Sequence, residues 1–210
     1  MGEIKIGRMV LGSVGTNCYF VYDTARMEAV VFDPADYGAE VFHKLENNGL
    51  KVAAIFLTHG HFDHILGVAK LKQLSHAEIY ASKAEEELLS DEELNCSAQI
   101  GRIATVTADH LLEDQETVEI AGMKIKMIAT PGHTGGSCCF YIEDTGMLLS
   151  GDTLFEGSVG RTDLPTGSMS ELVRSVKEKL FILPDDTVVY PGHGDQTTIV
   201  SEKKYNPFLG

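Results

Sequence analysis

The sequence predicts an α/β fold (α+β under some definitions) on three observations. Short apolar, β-branched runs alternate with segments of helical spacing. Four of those runs end in a Gly-flanked histidine or aspartate. No Pro/Gly/Ser-rich linker or low-complexity stretch divides the 210 residues. A chain of this length suits one large domain, and residues 1–210 are read as one.

Taken in order, Ile4–Val10, Tyr19–Tyr22 and Ala29–Phe32 read as strands, the first two parted by Gly12 and Gly15. Ala39–Asn48 has helical spacing and stops at Gly49, a residue suited to the left-handed turn that ends a helix. Val52–Leu57 reads as a buried strand, Ile65–Leu74 and Ala84–Leu89 as helices, and Asp91–Leu112 as mixed helix and loop. Thr117–Ile120 with Met123–Ala129, and Cys138–Ile142 with Met147–Leu149, read as hairpins around Ala121-Gly122 and Asp144-Thr145-Gly146. Ser170–Phe181 reads as a helix with Ser170 as its N-cap and Leu172, Val173, Val176 and Leu180 on one face. Thr187–Tyr190 reads as a strand and Thr198–Tyr205 as a closing helix.

Seventeen basic against 31 acidic residues give a formal net charge of −14. Such a surface repels polyanions, which argues against nucleic acid and anionic membrane as partners. The longest apolar run is far too short to span a bilayer, and the start has no stretch of signal-peptide character. The expectation is a cytoplasmic protein whose Cys18, Cys96, Cys138 and Cys139 are reduced core residues.

The chemistry concentrates in Thr58-His59-Gly60-His61-Phe62-Asp63-His64. His-x-His-x-Asp-His packs three imidazoles and a carboxylate into six positions, an unfavourable crowding that a divalent cation relieves. Pro131-Gly132-His133, Gly151-Asp152 and Pro191-Gly192-His193 follow three further strands. The repeated P-G-H hints at two halves contributing to one site. Five of the eight histidines fall in these loops, whereas His43, His76 and His110 stand alone and read as surface turn residues. Seven donors are too many for one zinc, which usually takes three protein groups and a water in a catalytic site. They suit two ions joined by Asp152: His59, His61 and His133 on the first, Asp63, His64 and His193 on the second. The donor set favours zinc, with iron or manganese also compatible. A bridging hydroxide between two such ions is a nucleophile at neutral pH.

As a set these motifs, with Asp33 after Val30-Val31-Phe32, resemble the metallo-β-lactamase superfamily over nearly the whole chain. The resemblance implies a four-layer αββα sandwich and a supporting role for Asp33 bracing the first ligand loop. The run Gly151 to Pro165 and the ending Asn206-Pro207-Phe208-Leu209 are similar to the short bacterial form of hydroxyacylglutathione hydrolase (glyoxalase II). That likeness implies hydrolysis of a small-molecule thioester such as S-lactoylglutathione, with Asp152 joining the ions and Asp63 orienting the nucleophile. Longer members grip glutathione through a C-terminal extension that would begin about where Gly210 stands, which leaves the thiol carrier open. Arg161 is read as a cation for a substrate carboxylate or, in preference, as the ion-pair partner of Asp163. The rival on the same fold is a persulfide dioxygenase, with one iron by resemblance at His59, His133 and Asp152.

Overall fold

The computed structural model describes residues 2–210. Two six-stranded sheets lie at its centre, each drawn from one half of the chain. The first holds β1 (Ile4–Leu11), β2 (Thr16–Asp23), β3 (Glu28–Phe32), β4 (Lys51–Leu57), β5 (Glu78–Ser82) and β6 (His110–Leu112), in that spatial order. Helices α1 (Gly38–Asn47), α2 (Phe62–Ile65), α3 (Val68–Ser75) and α4 (Glu86–Ser90) fall between its strands. The second sheet runs from β7 (Thr117–Ile120) through β8 (Met123–Ala129), β9 (Cys138–Ile142) and β10 (Met147–Gly151). A small hairpin, β11 (Leu154–Phe155) with β12 (Ser158–Val159), and helix α5 (Met169–Ser175) precede β13 (Val188–Pro191), β14 (Thr197–Thr198) and α6 (Ile199–Tyr205).

Sequence patterning explains the layers. β3 and β4 are parallel neighbours and almost wholly apolar, as strands covered on both faces must be. In β8, Met123, Ile125 and Met127 are buried while Lys124 points outward, the period of two expected of a half-covered strand. One apolar cluster joins the first sheet to α1 and α3, through Val31, Leu45, Ile55 and Leu71. A second fills the space between the sheets, with Phe32, Phe56 and Phe140 at its centre. A third packs the second sheet against α5 and α6 through Leu148, Leu172, Val189 and Ile199. Three apolar layers require four structural ones, so the fold is a four-layer αββα sandwich, as the resemblance implies.

The structure corrects the element reading in several places. The helix expected over 65–74 is broken: Gly67 donates to the Pro34 carbonyl at 2.9 Å, and an added Cβ there would collide with that oxygen. The cap of α5 is Ser168, whose hydroxyl accepts from the Glu171 amide, and not Ser170; its helix widens to π-helical turns over Val176–Leu180. Strand β5 was not anticipated, because five residues with Ile79 and Ala81 inward carry too little pattern. In 91–112 there is no α-helix, only a 3₁₀ turn at Ala98–Ile100 and the strand β6. Among the described residues no helix is long and apolar enough to cross a membrane. Cys138 and Cys139 face opposite sides of β9, in the second and third clusters, and all four cysteines are free and buried.

Candidate metal centre

Four strand ends deliver the seven donors to one place. β4 runs into His59; His61 then caps α2 with an extended backbone (ψ 146), which turns Asp63 and His64 back along one helical turn. β8 leads to His133, β10 to Asp152 and β13 to His193. The parallel register sets Gly151 opposite Pro191, with a bulge after Leu149, and Gly192 N donates to Gly151 O at 2.8 Å. Asp152 and His193 are thereby carried side by side. Two further backbone bonds tie the sheets together here: Cys138 N to Thr58 O at 2.9 Å and Asn17 N to Gly192 O at 2.7 Å.

The donors form two trios, linked by a third group of His59, His64 and Asp152. His59, His61 and His133 offer nitrogens within 4.8 Å of one another, and so do donor atoms of Asp63, His64 and His193. His133 Nε2 lies 2.8 Å from His61 Nδ1 and 3.2 Å from His59 Nε2. In the second trio, Asp63 Oδ2 is 3.3 Å from His193 Nε2 and 3.6 Å from His64 Nε2. Asp152 stands between: Oδ1 is 3.4 Å from His64 Nε2, and Oδ2 is 3.6 Å from His133 Nε2 and 3.5 Å from His193 Nε2. Two ligands bonded to one tetrahedral zinc sit ~3.3 Å apart, the spacing that its usual bond lengths dictate. The donors are therefore at cation-ready separations. His64 Nε2 and Asp152 Oδ1 are buried, face each other and have no hydrogen-bond partner. Buried polar atoms left in this way are costly, and a cation between them removes the cost.

Outer contacts aim the rings. His133 Nδ1 donates to the Arg161 carbonyl at 2.7 Å. Asp33 Oδ2 faces His64 Nδ1 at 3.0 Å and accepts the Thr58 hydroxyl at 2.7 Å, so Thr58 Oγ1 is left to accept from His59 Nδ1 at 3.1 Å. In each of the three rings an outward Nδ1–H leaves Nε2 bare and inward, the tautomer that binds metal.

Electrostatics separates the trios. Burial holds His59, His61 and His133 below the ordinary imidazole range, and neighbouring imidazoles add to it at His59 and His61. His61 is pushed down to about 3. These rings are neutral and ready to ligate. Burial also disfavours charge on His64, yet Asp63, Asp152 and Asp33 outweigh it and raise that ring; His193 is raised against burial by its bond to Asp63. Asp63 and Asp152 are held low against burial, chiefly by His64. The second trio is the more open side: the His193 side chain is 26% exposed and Asp63 14%, whereas His59, His61 and His133 are all buried.

The sequence reading missed several supporting residues. Thr16 donates to Asp63 Oδ2 at 2.8 Å. Asn17 is buried and its amide group reaches both Pro191 O and Gly194 O at 2.9 Å, which flank His193. A polar pair buried at the start of a strand, straight after Gly15, is the signal that could have found them. Glu85 bonds Gly60 N and Thr134 Oγ1, yet in Glu85-Glu86-Glu87 nothing marks it out from its exposed neighbours. The side chain of Arg161 forms two 2.7 Å bonds with Asp163. His43, His76 and His110 lie outside the site: His43 beside Glu46, His76 ending α3 in a left-handed turn, His110 stacked on Tyr80.

The sequence model of the metallo-beta-lactamase superfamily matches residues 11–193. A probable metallo-hydrolase, YqgX of Bacillus subtilis, is 36% identical over 98% of this chain and 98% of its own. Hydroxyacylglutathione hydrolase GloC of Haemophilus influenzae is 33% identical over 92% of each. Among solved structures, BLEG-1 B3 metallo-beta-lactamase superimposes with a TM-score of 0.93 at 38% identity, covering 98% of this chain and 99% of that one. TTHA1623 in a di-iron-bound form gives 0.87 at 33% identity, covering 97% and 100%.

Proposed function

The chain belongs to the metallo-beta-lactamase superfamily, and on that premise we propose that it is a binuclear hydrolase cleaving a small-molecule thioester of the S-lactoylglutathione kind. One observation carries the reading: a single carboxylate, Asp152, lies within 3.6 Å of donor atoms from both trios. The di-iron form of TTHA1623 supports two ions as the resident number. GloC supports the substrate class, since a relative matched over 92% of its length carries the hydroxyacylglutathione hydrolase name. Zinc is the proposed metal on the donor chemistry, with iron the first alternative.

When bound, the two ions would polarise the carbonyl and supply a hydroxide at neutral pH. The residues do the rest. Asp152 holds the trios at a fixed separation. Asp63, fixed by Thr16 and facing the open side, orients the attacking water. No thiol of the chain competes as nucleophile, because all four are buried and burial pushes Cys139 up to about 11 and the others above their ordinary range. Engaging a substrate carboxylate with Arg161 would require breaking its pair with Asp163.

The test is turnover by metal-quantified protein on a lactoyl thioester, a persulfide, a lactone and a β-lactam, the last because of the likeness to BLEG-1. The expected result is thioester hydrolysis at about two ions per chain. One iron per chain with oxygen uptake on the persulfide would replace this reading with the dioxygenase, and β-lactam turnover alone would replace the substrate.

A further inference from the structure

Glu85 lies at the entrance to α4, 1% exposed, and takes no part in the chemistry above. Its carboxylate touches both loops that carry the first trio. Oε1 accepts from the amide of Gly60, the residue between His59 and His61, at 2.9 Å. The hydroxyl of Thr134, next to His133, lies 2.8 Å from Oε1 and 3.0 Å from Oε2.

The surroundings are built for an acceptor. Thr134 N donates to Ser137 Oγ at 3.0 Å, and the Ser137 hydroxyl is 2.6 Å from Thr134 Oγ1. With Ser137 donating to Thr134 and Thr134 to Glu85, every proton in the chain has an acceptor and the carboxylate receives the Gly60 amide and the Thr134 hydroxyl. Glycine lets both loops close on this segment. A Cβ at Gly136 would collide with the Ala84–Glu85 backbone, and one at Gly60 would meet Leu88 Cδ2 at 2.7 Å and Leu89 Cδ2 at 3.0 Å. These close approaches bring both loops within reach of one side chain.

We propose that Glu85 is a positioning residue that clamps the His59–His61 loop to the His133 loop and thereby sets the affinity of the first trio for its ion. The inference rests on the binuclear reading of the centre. The clamp needs the length and the two acceptor atoms of glutamate. Glutamine keeps the shape but turns an N–H₂ group toward a donor, and aspartate is one methylene too short to span both loops.

The experiment compares parent and Glu85→Gln, both checked for folding by circular dichroism, in zinc competition against a chromophoric chelator and in cobalt(II) absorption spectra. One of the two ions should bind about 10–100-fold more weakly in the variant, the usual effect of removing a partner that orients a ligand. The other ion's midpoint should stay in place. The cobalt band of the weakened site should shift, and repeating the titration in a His193→Ala background, which retains the first site, should identify it as that site. Thr134→Val, which removes only one arm of the clamp, should move the same midpoint by less and serves if Glu85→Gln does not fold. Equal midpoints in parent and variant, or an equal loss of both ions, would overturn the clamp while leaving the binuclear reading intact. A parent that takes up no metal would overturn both.

Discussion

The carboxylate of Asp33 lies 3.0 Å from His64 Nδ1, although 31 residues separate them, and its Oδ1 receives the Thr58 amide at 2.8 Å. The residue adopts a left-handed backbone (φ 48), a conformation that asparagine also tolerates. Asp33→Asn therefore tests the charge while sparing the turn. The neutral amide supports the His64 imidazole less well as a ligand, so the affinity for the second ion should drop roughly 10–100-fold, and the first ion should weaken by less, through the Thr58 hydroxyl that orients His59. Calorimetric zinc titration reads the two steps separately. A variant with both steps unchanged would show that Asp33 serves the turn alone.

Asp152→Ala should release both ions, because each trio loses the group that closes it. Activity should fall by more than the roughly 10–100-fold that loss of an outer hydrogen bond costs. Metal analysis after gel filtration is the check, and two retained ions per chain would contradict the shared position of this carboxylate. His193→Ala is the control: its ring lies on the open side beside Asp63, and depletion should be confined to one ion.

Gly132 and Gly192 occupy the same place in identical tripeptides, but their neighbours differ. A Cβ at Gly192 would strike the Asp152 carboxylate and lie 2.7 Å from His64 Cε1. A Cβ at Gly132 would strike the Leu172 backbone in α5, and the residue has φ 143, where side chains are strained. Gly192→Ala should lose metal and activity with little change in melting temperature. Gly132→Ala should instead cost on the order of 1–3 kcal/mol of stability, seen as a lower urea midpoint. The same loss in both variants would mean that the repeated motif does one job twice.

That contrast shows what the sequence discloses and what it withholds. Residue type and spacing pick out the donors that the fold brings together, since imidazoles and carboxylates gathered after strands stand out from ordinary turn residues. Periodicity betrays β4, β8 and α5, because one-sided or complete burial leaves a regular apolar pattern. The supporting groups leave no such trace. Glu85 and Asn17 are single polar residues whose importance comes from packing against loops 25 or more positions away. Gly67 breaks a helix because Pro34, distant in sequence, occupies its groove. β5 is short and is stabilised mainly by its parallel neighbours β4 and β6. Each of these depends on contacts that only the folded chain creates.

Asp36 and Arg102 supply a test of acid stability away from the ligands. The guanidinium bonds both carboxylate oxygens, at 2.7 and 2.9 Å, and ties the loop after β3 to the segment following α4. The Asp36 side chain is 6% exposed, so the charge has little water to fall back on. The arginine, helped by the Tyr37 amide, holds the carboxyl below its usual range despite burial. A carboxyl lowered in the folded state binds fewer protons there than in the unfolded chain. Its stabilising contribution is thus present above the unfolded value of about 4 and is lost as the pH falls through the folded one. Asp36→Asn should be less stable than the parent by roughly 1–3 kcal/mol at pH 7. The gap should narrow steadily below about pH 4, because acid removes from the parent what the substitution has already removed. Urea unfolding of both proteins at several pH values measures it; a gap that stays constant into acid would mean that packing at position 36, and not the ion pair, supplies the difference.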